Sequence, residues 1–279
     1  MTDFRGAHVL ITGAARGLGR LLALEAARRG AKVTLLDLDA ERLGEVCGEV
    51  QGAGGDSEGF VVDLSDRAAV AACCAEVRAH RGPVGILINN AGIVGGKTLL
   101  ESSEASIERT FQVNALANFW TVRAFLPHML EMGQGHIVTI ASMAGLAGAS
   151  RLVDYCASKF AAVGFDEALR LELKRLGSPV RTTLICPYYI DTGMFDGART
   201  RFSWLLPILK PAYVARRVVE AIEGNRKRLL MPRFALALPV ARVLPVTLFD
   251  GLMTLFGLNR SMDAFVGRPE PAQNPGRRP

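Results

Sequence analysis

The stretch "HVLITGAARGLGRLLALEAARRG", residues 8–30, joins a short apolar run to a glycine-rich turn and then to a segment with helical periodicity. Apolar runs of the same kind recur as "KVTLLD", "GFVVD", "ILINNAG", "HIVTIAS" and "RTTLICP", with longer amphipathic stretches between them. Strands read as nearly continuous hydrophobic runs where helices cover both faces of a sheet, whereas a half-solvated sheet alternates. The pattern predicts an α/β fold, a doubly wound parallel sheet with helices on both faces. Right-handed crossovers then place the strand C-terminal ends along one edge, where ligands bind.

The 279 residues, 49% hydrophobic and 22% charged, suit one sizeable globular domain, or a domain with an appendage. The net charge of +6 is uneven, with Arg226, Lys227, Arg228, Arg233, Arg242, Arg260, Arg268, Arg277 and Arg278 near the C-terminus. That asymmetry suggests an acidic surface as partner, against the plainer reading of a solvated basic tail. Phospholipid headgroups fit better than nucleic acid, because the same region is rich in Leu, Phe and Val and carries no nucleic-acid motif. The cysteines, Cys47, Cys73, Cys74, Cys156 and Cys186, are odd in number and lack metal-ligand spacing, which predicts reduced thiols in a cytoplasmic setting. His8, His80, His128 and His136 are scattered and read as structural, so no metal site is predicted. The opening "MTDFRGAHVLITG" has too short an apolar run for a signal peptide.

In "TGAARGLG", Gly13, Gly17 and Gly19 let backbone N–H groups approach a pyrophosphate, while the following helix N-terminus favours its charge. Gly13, Arg16, Gly17, Leu18 and Gly19 are therefore expected cofactor contacts, and the fold is read as Rossmann-type. Asp37 ends the second apolar run, where a carboxylate accepts the ribose hydroxyls of an adenosine and repels a ribose phosphate. Arg16 opposes it, since an arginine pairs with such a phosphate. Because the carboxylate must be neutralised before phosphate binds whereas an exposed arginine swings away, NAD is the expected cofactor and NADP the alternative. A plain helix-capping role also fits Asp37. Residues 1–230 then read as one dinucleotide-binding and catalytic domain, 231–267 as a hydrophobic C-terminal extension, and 268–279, "RPEPAQNPGRRP", as a disordered tail.

In "DYCASKFAAVGF", residues 154–165, Tyr155 and Lys159 share one helix face. A phenol titrates near ~10, too high for a base at neutral pH, but a nearby ammonium favours the phenolate, so the pair can serve as an acid/base. Ser142 in "TIASMAG" stands just beyond an apolar strand, where it can hydrogen-bond a substrate oxygen. Asn114 in "FQVNALANFW" is a poor helix former in a helical stretch and invites a special explanation. Taken singly, they read better as a surface Tyr–Lys pair, a helix-capping serine and a neutral helix asparagine.

Together, "TGAARGLG", "NNAG", Asn114, Ser142 and "YCASK", in this order, resemble the short-chain dehydrogenase/reductase family over residues 4–228. The resemblance implies that Tyr155 donates or accepts the proton, Lys159 lowers its pKa and holds the nicotinamide ribose, Ser142 positions the substrate oxygen, and Asn114 supports a relay water. It also implies cofactor contacts at Asp63 and Leu64 of "VVDLS", at Asn90, Ala91 and Gly92, and at Pro187, Ile190 and Thr192 of "CPYYIDTGMF". In that last motif Tyr188 stands where the family commonly has glycine. This variant, with the ending "SMDAFVGR" after a hydrophobic segment, resembles the retinol and hydroxysteroid dehydrogenases, a subgroup acting on lipophilic alcohols. A non-catalytic NAD-binding scaffold is the reading from another class, but it has no need of both Tyr155 and Lys159.

The loop 188–211 mixes Gly193, Gly197 and Pro207 with large apolar residues and is expected to close over substrate. Tyr188, Phe195, Phe202 and Trp204, with Ser142, are the expected substrate pocket, alongside Leu205 and Leu206; packing as core or as a dimer contact is the alternative. The segment 234–258 is expected to dock peripherally on a membrane without crossing it, since Pro239, Pro245, Arg242 and Asp250 oppose a span. Its flanking basic residues can each gain about 1 kcal/mol near anionic headgroups. The alternatives are a cover on the core or a contact between subunits, and the chain is expected to form a homo-oligomer.

Overall fold

The structure, a computed structural model, describes residues 1–268; the expected disordered tail lies outside the described residues apart from Arg268. Seven strands, β1 (His8–Thr12), β2 (Lys32–Asp37), β3 (Asp56–Val61), β4 (Ile86–Asn89), β5 (His136–Ile140), β6 (Arg181–Pro187) and β7 (Arg228–Met231), form one sheet in the order β3-β2-β1-β4-β5-β6-β7. Neighbouring strands pair in parallel, with Val9 opposite both Val33 of β2 and Ile86 of β4. The order reverses beside β1, so the connections leaving β1 and β4 part to opposite faces above the strands' C-terminal ends, the place where such sheets hold ligands.

The helices are α1 (Gly17–Arg28), α2 (Ala40–Gly52), α3 (Arg67–Arg81), α4 (Glu104–Phe111), α5 (Ala117–Glu131), α6 (Val153–Arg175), α7 (Pro211–Glu223), α8 (Leu238–Ala241) and α9 (Val246–Leu255). In α1 the buried Leu18, Leu22, Ala23 and Ala26 recur at helical spacing and join Val9, Ile11 and the α7 residues Val214 and Val218 on one side of the sheet. Leu10, Leu87 and Ile137 face the other side, against Cys74 and Val77 of α3, Phe125 of α5 and Leu169 of α6. Burying each large side chain contributes about 1.5–3 kcal/mol relative to exposure, so tertiary packing rather than propensity holds the helices. Local caps fix where they begin: the Asp39, Asp66 and Ser103 side chains accept backbone N–H groups at the starts of α2, α3 and α4.

His8 and His136 are buried between strands and bond Thr34 and Thr183 at 2.8 and 2.7 Å. Burial lowers both imidazoles to about 4, so they stay neutral and structural. Burial likewise pushes the Cys73 thiol up to about 11 and those of Cys74 and Cys186 to about 12, which makes them poor nucleophiles.

After β7 the chain breaks into α8 and α9, with Pro239 in the first turn of the former and Pro245 capping the latter. No helix among the described residues is long and apolar enough to cross a membrane. Residues 261–268 then return across the 188–211 loop as a strap. The Arg199 N–H bonds the Ser261 carbonyl at 2.8 Å, the Val266 N–H bonds the Asp196 carbonyl at 2.8 Å, and the Tyr189 and Ser261 hydroxyls lie 2.9 Å apart.

Candidate active site

The turn after β1 is built for close approach. Gly13 and Gly17 take φ of 65° and 57°, a region that favours glycine. A Cβ on Gly13 would lie 2.8 Å from Ala91 Cα, and one on Gly19 would overlap the Gly13 carbonyl oxygen. The Asn90 amide donates to the Thr12 and Gly13 carbonyls at 2.9 and 3.0 Å, and the Thr12 hydroxyl accepts the Asn90 and Ala91 N–H groups, tying the ends of β1 and β4 together. Arg16 precedes α1 in extended geometry with no side-chain cap on the helix, so the first-turn N–H groups face the cradle. Thr192 stands opposite, its Cβ 3.3 Å from where a Cβ on Gly17 would lie.

Asp37 ends β2 beside this turn. One of its oxygens accepts the Ala15 N–H at 2.9 Å and the other the Asp39 N–H at 3.1 Å. Arg16 pairs with Asp39 at 3.4 Å rather than with Asp37. Asp63 accepts the Ser65 N–H and hydroxyl and lies 3.6 Å from Arg109. The Leu18 and Leu64 side chains are buried in the two cores, so they are closed to a ligand. Pro187 is buried at the end of β6, while Ile190 packs on the core and bridges to Leu209. These residues fit a dinucleotide: a glycine cradle with no room for side chains, a helix N-terminus behind it and a carboxylate at the adenosine side.

Tyr155 and Lys159 lie on α6 with the Lys159 Nζ 5.8 Å from the Tyr155 ring centre. Both are buried, and the ammonium donates to the Ile140 carbonyl at 3.0 Å. Burial, opposed by the hydrogen bond with Ser142, pushes the Tyr155 phenol above its ordinary value, and burial pushes Lys159 down to about 8. Desolvation is the largest influence on the phenol, and the Ser142 hydrogen bond opposes it. Ser142 caps a short turn, accepting the Ala144 N–H at 3.1 Å. Asn114 occupies a π-helical turn, Gln112–Leu116, between α4 and α5. The turn lets its amide accept the Ile93 N–H at 2.8 Å and donate to the Ile93 carbonyl and the Ser158 hydroxyl at 2.9 and 3.0 Å. Such turns recur at functional sites because they re-aim a side chain. Lys159 and Asn114 meet beside Gly92: a Cβ there would lie 3.4 Å from Lys159 Nζ and 3.5 Å from Asn114 Oδ1.

Tyr155 also belongs to an aromatic cluster with Tyr189, Met262, Phe195 and Phe265. Phe195 meets Tyr155 edge-on at 5.7 Å, and Tyr188 meets Tyr189 at a tilt, 4.6 Å between ring centres. The expected pocket is only partly assembled this way. Phe202 packs on Phe256 at 6.0 Å, after α9, and Trp204 is 80% exposed, because this part of the loop leans on the C-terminal extension rather than on Tyr155. The loop is pinned at its base, where the Leu209 N–H bonds the Tyr189 carbonyl at 2.8 Å. Gly197, in the loop expected to close over substrate, admits the strap, since a Cβ on it would overlap the Ala264 carbonyl. Sequence reasoning missed Ser158, Ile93, Tyr189, Phe265 and Arg268; only "SMDAFVGR" signalled the last two.

Fold and site define an NAD(P)-dependent oxidoreductase. Residues 7–201 match the family described as short chain dehydrogenase. The chain belongs to the short-chain dehydrogenase/reductase family and is an alcohol dehydrogenase/reductase by class. The short-chain dehydrogenase/reductase family 16C member 6 of Bos taurus is 43% identical over 270 residues, covering 95% of this chain and 85% of that protein. Epidermal retinol dehydrogenase 2 of Homo sapiens is 42% identical over 266 residues, covering 94% and 85%. Among solved structures, a short-chain dehydrogenase/reductase from Burkholderia phymatum in complex with NAD is 31% identical with a TM-score of 0.79, over 87% of this chain and 95% of that one. A metagenomic short-chain oxidoreductase in complex with NADP is 29% identical with a TM-score of 0.69, over 82% and 97%.

Proposed function

We propose that the protein oxidises a lipophilic primary or secondary alcohol, of the retinoid, steroid or long-chain type, to its carbonyl compound with NAD. The approach of Lys159 and Asn114 to Gly92, together with the hydrogen bond between Tyr155 and Ser142, carries this reading. The names of the related retinol dehydrogenases and the apolar cluster around Tyr155 support the substrate class. Bound NAD supplies the hydride acceptor. Ser142 holds the substrate hydroxyl and Tyr155 takes its proton as hydride leaves the carbinol carbon. Lys159 holds the nicotinamide ribose and favours the phenolate, and Asn114 supports a relay water against the Ile93 carbonyl. The Asp37 carboxylate, set on the turn itself, favours NAD over NADP. The reverse reading, an NADPH-dependent ketoreductase, rests on Arg16 beside the same turn. Assay of retinoids, steroids and long-chain alcohols with both cofactors tests this, the expected result being turnover with kcat/KM at least about tenfold higher for NAD. Preference for NADP would select the ketoreductase, and tight NAD binding without any turnover would select a scaffold.

The protein is further read as cytoplasmic, homo-oligomeric and docked peripherally on a lipid surface. Free, mostly buried thiols suit a reducing compartment, and Leu116, Phe119 and Leu171 leave apolar surface at α5 and α6 for a second copy. The extension leaves Val240, Val243 and Val246 73%, 85% and 75% exposed among basic residues, a combination that binds anionic bilayers. Sedimentation with anionic liposomes should carry down the full chain and lose it in V243D/V246D/L248D, while the lipid-free control reads the oligomer. Equal sedimentation of both chains removes this segment as the anchor, and a monomer in the control removes the oligomer.

A further inference from the structure

The strap at residues 261–268 reaches two places at once. Its Phe265 ring fills the space beside Gly96, where a Cβ would overlap it, and Phe265 and Met262 belong to the cluster around Tyr155. Three residues on, Arg268 lies against the cofactor cradle. Its guanidinium donates from Nε and Nη2 to the Thr192 carbonyl at 3.2 and 2.6 Å, and Nη2 stands 3.0 Å from where a Cβ on Gly17 would be. The position is set by backbone, since the Val266 and Gly267 N–H groups both bond the Asp196 carbonyl. Among the described residues Arg268 forms no ion pair. Burial first, then Arg16, and with them Arg42, push its guanidinium below the ordinary value, against the opposing pull of Asp196 and Asp37. A cation held by a neutral carbonyl, partly out of water and among other cations, is costly unless an anion joins it. The anion that a glycine cradle and a helix N-terminus accept is a pyrophosphate.

We infer that Arg268 is a cofactor-binding residue: carried by the C-terminal strap, it closes over Gly17 and donates to the pyrophosphate of the bound dinucleotide. Two of its five N–H donors are used on Thr192, which orients the fork and leaves the others for phosphate oxygens. The same strap carries Phe265 to the cluster around Tyr155, so ordering by the cofactor extends to the substrate side. Arg268 acts on phosphate charge rather than on the choice at the adenosine ribose, because it is hydrogen-bonded to the Thr192 carbonyl beside Gly17, and of the charges acting on it that of Asp37 is the weakest.

The inference rests on the dinucleotide reading of the site, and equilibrium binding separates the two. NAD, ADP-ribose, adenosine and NADP are titrated against the full chain and against R268A and R268Q, with thermal melting of each unliganded protein. If the unsubstituted chain binds neither NAD nor ADP-ribose, the cofactor reading itself fails. Otherwise R268A should bind NAD and ADP-ribose about tenfold to a hundredfold more weakly, with adenosine affinity and the NAD to NADP ratio unchanged. R268Q, which keeps a donor for the Thr192 carbonyl, should melt like the unsubstituted chain and show the same loss; it is the variant read if R268A melts lower. Unchanged NAD affinity in R268Q overturns the inference. So does an equal loss for adenosine, which would mean a disordered strap, or a changed cofactor ratio, which would place Arg268 at the ribose.

Discussion

Replacing Tyr155 by Phe is expected to lower kcat by about 10³-fold while NAD affinity stays within about threefold, because the change removes one oxygen and leaves the ring. The ring is what the fold uses: it is 4% exposed and packs edge-on to Phe195 at 5.7 Å. Lys159, proposed to hold the nicotinamide ribose, is positioned by the Ile140 carbonyl and not by the phenol, so its placement survives. Loss of a hydroxyl whose partner is the Ser142 side chain alters stability by about 1 kcal/mol. Kinetics with any competent alcohol, together with an NAD titration and a melting curve, separate the effects. Turnover within about tenfold of the parent would remove Tyr155 as the proton acceptor. A parallel fall in NAD affinity would instead make it a cofactor-binding group.

What the sequence made legible follows from which interactions are local. Val9, Leu10 and Ile11 are apolar in succession because α1 and α7 cover one side of β1 and α3 and α5 the other, and a run buried on both faces needs no partner to be recognised. Tyr155 and Lys159 were legible because helical spacing alone brings them together. The π-helical turn at Asn114 was not, since it arises from the hold of that amide on Ile93 and Ser158 from other segments. Arg268 meets Thr192 across 76 residues, a pairing that no local pattern encodes. Phe202 and Trp204 were assigned to the pocket on hydrophobicity, but in an irregular loop apolar residues carry no periodicity to say which way they face. The rise at Tyr155 was not legible for a related reason: a helical pairing is visible in a sequence, whereas depth of burial is not.

Gly19→Ala should abolish tight NAD binding, with affinity falling by at least about 100-fold, although alanine favours a helix by about 1 kcal/mol over glycine. Gly19 lies in the first turn of α1 and its backbone is ordinary, so conformational freedom is not why glycine is needed. Space is. A Cβ would overlap the Gly13 carbonyl oxygen and lie 2.6 Å from Asn90 Nδ2, and these two groups already hydrogen-bond each other at 3.0 Å. Both neighbours belong to the frame that joins β1 to β4, so neither swings aside as a surface side chain would; the turn itself must move. Such overpacking costs typically about 1–3 kcal/mol, more than the propensity gain, and the displacement falls where backbone N–H groups meet the pyrophosphate. Gly44→Ala in α2 is the matched control. Its Cβ would meet nothing within 4 Å, so propensity acts alone and the variant should melt higher with NAD affinity unchanged. If the alanine at 19 bound NAD like the parent, the close approach of α1 to the turn would have no part in the cradle. If the control lost affinity too, the effect at 19 could not be assigned to contact, because the two sites share the substitution and differ in what surrounds it.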